Sequence, residues 1–171
     1  FPLEQILLHA PAFHTKIPAP ADYASTTHLY QSVSITITPA HPLNGLRQTI
    51  LERRDLFPSL ELQPDPDANM SRLITSTGRH YARWYFVHPS ADGSLDMQGD
   101  RWLWGSCSTW EREKPDAYEC LRALRHAGLS MKYHIAGANM PHYPAIDRMI
   151  LQQLKQWECS KPSKSDGWDD I

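Results

Sequence analysis

The stretches H-Y-A-R-W-Y-F-V-H at 80–88 and R-W-L-W-G-S-C at 101–107 decide the fold that this sequence predicts. Their aromatic and β-branched content favours strands, and turn residues at 89–94 separate them. Successive side chains of a strand lie on opposite faces. The face with Trp84 and Phe86 is the better core face, because the opposite face carries a charged arginine. The two stretches therefore predict an aromatic hairpin at the centre of an antiparallel sheet.

Two interpretations of these aromatic residues stay open at this point. In the first, they fill a small core, and each buried indole N–H finds a hydrogen-bond partner. In the second, a face rich in Tyr, Trp and Arg is a ligand cleft or a partner surface, because such residues dominate binding hot spots. Trp102 and Trp104 share one face of the second strand and are the predicted partner contacts there.

Further strand and helix patterns flank the hairpin. Alternating or β-rich runs predict strands at 29–37, 60–62, 71–76, 95–97 and 129–135, and helical spacing predicts helices at 43–54, 114–127 and 144–157. The acidic run Pro64-Asp65-Pro66-Asp67 predicts an irregular exposed loop. This order predicts an α+β fold, a mainly antiparallel, aromatic-rich sheet of about five to six strands with two to three helices packed on one face. A dimeric α+β barrel and a curved cone around a pocket are variants of the same pattern.

The chain divides into three predicted parts. Residues 1–25 form an irregular Pro-rich arm with a short helix, because several prolines follow a brief apolar helical pattern. Residues 26–157 form one α+β domain, a length that buries a sufficient core. Residues 158–171 form a flexible, acidic, Trp-containing tail, because this segment is mainly polar.

Composition excludes several classes of function. The chain has 171 residues and a formal net charge of −2, which argues against a general nucleic-acid binder with its basic face. It has no run of 18 apolar residues, so the sequence predicts no membrane-spanning helix. Three cysteines without C-x-x-C spacing favour free thiols over a disulfide framework, and with them an intracellular location, cytoplasmic or nuclear.

The candidate residues for chemistry are polar groups around the hairpin. Nine histidines are present, but no zinc-binding spacing and no glycine-rich phosphate loop, so neither a metal nor a cofactor is expected. A small cofactor-independent enzyme of the lyase, isomerase or hydrolase type would draw its acid, base or anion clamp from a pocket in a curved sheet. The residues for that role are Tyr85, His88, Asp100, Arg101 and His134.

The tail carries a local docking signal. The end of the chain, D-G-W-D-D-I at 166–171, resembles the W-x-x-I/L/V motif that the ubiquitin-like modifiers of autophagy recognise. Its W-D-D segment also looks like the tryptophan-acidic peptides that kinesin light chains bind. An aromatic and an aliphatic anchor at this spacing suit strand addition to a sheet edge. The resemblance implies that Trp168 and Ile171 contact a protein partner.

The sequence therefore predicts a non-catalytic protein-interaction domain, an adaptor or a subunit of a larger complex. It would bind through the aromatic sheet surface and the tail. The enzyme described above is the alternative, and a small-molecule ligand is compatible with it. The two differ in shape, because an enzyme needs a deep cavity with convergent polar groups, whereas an adaptor needs a shallow patch or an occupied sheet edge.

Overall fold

An antiparallel sheet of eight strands is formed by the described residues in a computed structural model of the protein. The structure describes residues 12–24, 32–53, 62–66, 68–77, 82–99, 101–109 and 117–157. The strands are β1 (Phe13–Pro18), β2 (Ser32–Pro39), β3 (Leu62–Asp65), β4 (Met70–Thr77), β5 (Ala82–Val87), β6 (Leu103–Thr109), β7 (Glu119–His126) and β8 (Leu129–Ala136). Their spatial order is β1-β2-β8-β7-β6-β5-β4-β3. The chain thus makes one hairpin, crosses to the far edge, and returns as a meander that ends beside β2.

The helices lie on opposite faces of this sheet. They are α1 (Asn44–Glu52), a 3₁₀ helix (Gly137–His142) and α2 (Tyr143–Trp157). Three buried residues of α2 repeat at helical spacing and form the stripe that packs on the sheet: Ile146, Ile150 and Leu154. On the other face, Ile50 of α1 packs with Leu73, Val87 and Trp102 in a smaller cluster.

We call the face under α2 the covered face and the opposite face the open face. The α1 helix packs on one end of the open face, where its cluster with Leu73 and Val87 contacts Tyr85. The covered face holds the main core, with these buried side chains from β2, β5, β6 and β8: Val33, Ile35, Ile37, Trp84, Phe86, Trp104, Met131, Tyr133 and Ile135. The open face carries the alternate side chains of the same strands. Its residues on β1, β2 and β8 are mostly polar, and apart from buried Ser130 they are exposed or half-buried. No described helix packs on this half of the open face.

The predicted fold class is wrong in its strand number and in its layering. The sheet has eight strands rather than five to six, and the two α-helices do not share a face. The largest error is the predicted helix at 114–127, because Glu119–His126 is strand β7. Ala127 and Gly128 both have positive φ, 47° and 77°, which fits a two-residue hairpin turn into β8. Gly128 therefore serves a hairpin rather than the end of a helix.

Proline also misled the prediction at the two edges of the sheet. Pro64 and Asp65 belong to β3, although the sequence predicted an irregular loop there. β3 is an edge strand, where the missing N–H of a proline costs no ladder hydrogen bond. β1 forms the opposite edge inside the segment expected to be an irregular arm, and the short helix predicted before it lies outside the described residues. The predicted strand at 95–97 is non-regular, and β6 begins at Leu103.

Other predicted elements are confirmed. The alternating patterns form β2 and β8, and the helical patterns form α1 and α2, with boundaries close to those predicted. The aromatic strand forms β5, and it pairs antiparallel with β6 as expected for the hairpin. No helix in the described ranges is long and apolar enough to cross a membrane.

Cys107 and Cys120 form a disulfide between β6 and β7. The two residues are direct partners in the strand register, with their Cα atoms 4.0 Å apart. The prediction of free thiols is therefore wrong for this pair, because sequence spacing does not reveal which residues face each other across a ladder. Cys159 lies outside the described residues. The intracellular location rested on free thiols and stays a prediction.

Candidate functional site

A buried ion pair ties the centre of the sheet to α2. Arg122 on β7 donates to the Asp147 carboxylate of α2 from Nε at 3.1 Å and from Nη2 at 2.7 Å. Its Nη1 donates to the carbonyl oxygen of Trp104 at 2.6 Å, and its guanidinium lies 5.0 Å from the Trp104 ring centroid. The Tyr133 hydroxyl donates to the same carboxylate at 2.7 Å. Asp147 therefore accepts hydrogen bonds from both strands of the β7–β8 hairpin.

The strand register explains why this network forms at this point. Gly105, Arg122 and Tyr133 are consecutive partners across β6, β7 and β8. A Cβ on Gly105 would lie 2.5 Å from the carbonyl oxygen of Leu121, so the glycine permits the close approach of β6 to β7. Burial, with the nearby Asp147 charge, raises the pKa of Tyr133 far above its ordinary value. Tyr133 is thus a fixed hydrogen-bond donor rather than a proton-transfer group.

A cleft of about 600 Å³ opens where β6 and β7 begin to separate. Its walls are the chain from Arg101 to Leu103 on one side and the β7–β8 hairpin on the other. The titratable side chains among the described lining residues are all bases: His88, Arg101, Arg122, Arg125 and His126. Asp147 neutralises part of this charge from behind Arg122. The remaining lining is mostly small or aliphatic.

His88 stands at the rim of this cleft, just after β5. Its backbone N–H donates to the carbonyl oxygen of Trp102 at 2.8 Å, which fixes its position. Desolvation by the surrounding protein, and then the positive charge of Arg122, lower the pKa of His88 below its ordinary value, although Asp147 partly offsets the shift. The imidazole is therefore neutral at pH 7 unless an anion enters the cleft.

The open face places a row of side chains across four strands. Tyr85, Ser106, Leu121 and His134 are consecutive register partners on β5, β6, β7 and β8. Tyr85 and Leu121 are half-buried, while His134 is exposed and lies 3.1 Å from the Glu119 carboxylate. The small serine side chain leaves a shallow trough along this row.

Basic residues lie on the same face as the trough, and Glu119 lines it. Exposed cations of the open face are Lys16 on β1, Arg83 on β5 and Lys132 on β8. Two shallow depressions, of about 240 and 230 Å³, share Tyr85, Ser106 and Leu121 in their linings. The second shares Leu103, Ala123 and Arg125 with the large cleft. The three spaces adjoin one another through these shared residues, and we call them together the basic groove, from Arg83 to Arg101.

The residues predicted for catalysis fall into two places along the groove. Tyr85 and His134 lie on the open face, three strand spacings apart, roughly 14 Å between strand axes. His88 and Arg101 line the cleft, and Asp100 lies outside the described residues. General acid–base chemistry needs its groups within hydrogen-bond reach of the same reacting atoms. The structure brings these residues together in pairs rather than as one set.

The residues predicted to contact a partner fall into a buried pair and a pair in the tail. Trp102 and Trp104 are 3% and 0% exposed, so both side chains are buried. They do not share a face as predicted, because Trp102 packs in the α1 cluster and Trp104 in the main core. The buried indole N–H groups of both have no hydrogen-bond partner among the described residues, so that part of the first interpretation is wrong. Trp104 packs edge-on against Phe86 and Tyr143, at centroid distances of 5.8 and 5.3 Å. Trp168 and Ile171 of the tail lie outside the described residues, and the docking motif there stays a prediction.

Sequence reasoning missed the pairing of Arg122 with Asp147. A signal was present, because Arg122 occupies the inward phase of an alternating run, Cys120-Leu121-Arg122-Ala123-Leu124. Reading that run as a helix concealed its two faces. Asp147 adjoins the apolar stripe of α2, where a charged side chain needs a buried partner. Within the described ranges, no three His, Cys, Asp or Glu residues are arranged to hold a metal ion.

Comparisons with known proteins do not show a family for this chain. No protein-family model matches the chain, and no curated protein matches it. A solved structure of an immunity protein of the Stenotrophomonas maltophilia type IV secretion system is similar, with 10% sequence identity and a TM-score of 0.44. The similarity covers 89% of this chain and 83% of that one. At this level of likeness the role of that protein is not transferred to this chain.

Proposed function

We propose that this protein is a non-catalytic interaction domain that binds an acidic surface of a protein partner on its open face. The observation that carries the proposal is the charge of that face. The described side chains of that face include the cations Lys16 on β1, Arg83 on β5 and Lys132 on β8, beside one exposed carboxylate, Glu119 on β7.

The charge of the open face contrasts with that of the whole chain. The formal net charge is −2, so the cations of this face reflect local placement rather than a basic composition. A concentrated basic face steers an acidic partner towards it and raises the association rate. Because the side chains are exposed, this contribution weakens as salt is added.

The shape of the open face fits a protein better than a small substrate. The trough spans four strands, with half-buried Tyr85 at its β5 end and half-buried Leu121 near its middle. Aromatic and aliphatic side chains among polar residues are typical of a protein-binding surface. Tyr85 and His134 lie far apart, and neither lines the cleft. The described residues of the enzyme alternative therefore do not surround one reaction centre.

The test combines capture with reconstitution. The intact protein and two charge-reversal variants are used as baits in extract of the organism that makes it. One variant carries Arg83→Glu and Lys132→Glu on the open face. The matched control carries Arg148→Glu and Lys155→Glu on the exposed side of α2, which reverses the same number of charges. Any protein retained is identified, purified and titrated against all three.

We expect a purified acidic partner whose dissociation constant rises at least about tenfold with the open-face variant and changes little with the control. Raising the salt concentration should weaken the wild-type complex mainly through its association rate. The proposal is wrong if no partner is captured, or if both variants lose the partner equally. A labelled single-stranded oligonucleotide that binds wild type and is lost in the open-face variant would also overturn it, in favour of a nucleic-acid ligand.

A further inference from the structure

We propose that the cleft between β6 and the β7–β8 hairpin is a binding site for a small phosphomonoester. This inference stands apart from the proposed function, because it concerns a small ligand and a different part of the basic groove.

The charge of the cleft indicates an anion. Three arginines and two histidines are the titratable side chains of its described lining. Asp147 pairs with Arg122, and Arg125 donates from Nη1 to the carbonyl oxygen of His41 at 2.6 Å. The exposed guanidinium of Arg101 and the imidazoles of His88 and His126 complete the set. Two guanidinium groups, Arg101 and Arg125, with the two imidazoles as further hydrogen-bonding groups around one space, suit a dianionic oxyanion better than a single carboxylate.

The fixed position of Arg122 and Arg125 supports a built site. Both side chains are held by hydrogen bonds to other elements, Arg122 to α2 and to β6, and Arg125 to the segment after β2. The Asp147 carboxylate compensates the charge of Arg122, so Arg125 contributes the positive charge that is ordered before any ligand arrives. Preorganised donors lose little entropy on binding and give more affinity than mobile surface cations.

The size and the apolar part of the lining indicate an ester rather than the free ion. A space of about 600 Å³ falls within the usual range of small-molecule sites. Leu103, Leu124 and Leu129 line it beside the basic residues. A phosphate group at the arginines would leave an organic part of the ligand against these leucines. We therefore expect a phosphomonoester with an apolar substituent to bind more tightly than inorganic phosphate.

Isothermal titration calorimetry at constant ionic strength tests this with the full chain. The probes are inorganic phosphate, glycerol 3-phosphate and phenyl phosphate, with phenol as the uncharged reference. Arg101→Gln and His126→Gln remove exposed donors of the cleft. Arg148→Gln on α2 is the matched control, because it removes an equally exposed arginine far from the cleft lining. Circular dichroism checks that each variant folds.

The expected result is saturable binding of phenyl phosphate that is tighter than that of inorganic phosphate, with no binding of phenol. Arg101→Gln should weaken it about tenfold or more, and His126→Gln by a smaller factor, while Arg148→Gln leaves it unchanged. Absence of binding at 10 mM probe (on the order of the weakest specific affinities) overturns the site. Equal weakening by Arg148→Gln also overturns it, because that result would mean general attraction of anions. Equal affinity for inorganic phosphate and the esters would refute the ester part of the proposal.

Discussion

The Arg122 guanidinium and the Asp147 carboxylate join the middle of the sheet to the helix that covers it, with Nη2 2.7 Å from Oδ2. Both side chains are largely buried, so each depends on the other for compensation of its charge. A buried pair of this kind adds little net stability compared with apolar residues, but breaking it leaves an uncompensated charge in the interior. The pair therefore fixes how α2 sits on the sheet.

Removal of the Asp147 charge should be strongly destabilising. We expect Asp147→Asn to lower the free energy of unfolding by about 3 kcal/mol or more, because Arg122 stays buried without a counter-charge. Tyr133→Phe, which removes one hydrogen bond to the same carboxylate, should cost about 1 kcal/mol. Urea unfolding of both variants gives the comparison. Equal costs would show that Arg122 finds another partner.

The core position of Trp104 predicts a loss of stability on truncation. Trp104→Ala should cost about 3–5 kcal/mol in unfolding free energy, because it empties the space between Phe86 and Tyr143. Tyr85→Ala on the open face is the control and should cost clearly less, since its side chain is half-exposed. Thermal and urea denaturation measure both. A stable Trp104→Ala protein would place the indole outside the core.

Reduction of the disulfide should destabilise the sheet. The bridge links residues separated by 13 positions, and chain-entropy arguments give about 3 kcal/mol for closing a loop of this size. We expect a phosphine reductant to lower the urea midpoint of the wild-type protein. In a Cys107→Ala/Cys120→Ala variant the reductant should have no effect, and Cys159→Ser in both backgrounds removes exchange with the third thiol. Insensitivity of the wild type would mean that the two thiols stay reduced.

His88 should make the protein sensitive to mild acid. Its pKa is lowered in the folded state by desolvation and Arg122, so the unfolded chain binds the proton more tightly. As pH falls below the ordinary histidine value of about 6.5, the unfolded state gains protons first and stability decreases. Above that pH the imidazole is neutral in both states and contributes nothing.

The matching experiment follows unfolding free energy between pH 7.5 and 5. His88→Gln should remove part of the acid-dependent loss, whereas exposed His14→Gln on β1 should not. Parallel curves for wild type and His88→Gln would contradict the assignment.

Gly105 provides a matched pair of glycine substitutions. Gly105→Ala should be destabilising, because the added Cβ would lie 2.5 Å from a backbone oxygen of β7, and neither strand can move without disturbing the ladder. Gly45→Ala in α1 meets no atom within 4 Å and should stabilise by up to about 1 kcal/mol. Denaturation midpoints decide the signs. A neutral Gly105→Ala would mean that β6 and β7 separate easily at this point.

Local patterns predicted the elements in which one face is apolar throughout. β2 and β8 alternate cleanly, and α2 has a regular apolar stripe, so their sequences indicate their structure without further context. The β7 segment was predicted as a helix because its apolar residues fit helical spacing nearly as well as strand alternation. The assignment of Ala127-Gly128 to a hairpin turn requires knowing that β7 pairs with β8. The prediction of an acidic loop around Pro64 was wrong because the sequence does not show which strand lies at the edge of the sheet.

The candidate sites were less predictable than the strands. Tyr85 and His134 could be placed on strands from the sequence, but their separation depends on the two strands that lie between them. Trp102 and Trp104 are aromatic in a way that suits a core and a binding surface equally, and burial decides between them. The basic groove depends on the register of β5 to β8, which no single segment encodes.

The strand order also constrains how the chain acquires its structure. β8 pairs with β2 in the interior of the sheet although it follows all the other strands in the described chain, and Thr36 meets Lys132 across this seam. During synthesis β8 leaves the ribosome after all the other described strands. Until then the β1–β2 hairpin lacks its neighbouring strand, and the side chains of Val33, Ile35 and Ile37 stay exposed to solvent. Such long-range pairing slows folding, so a chaperone that shields this hairpin, or a shortened delay before β8, would raise the yield of native protein. Mutations that weaken the seam should consequently appear first as aggregation in the cell rather than as a change in the properties of the folded molecule.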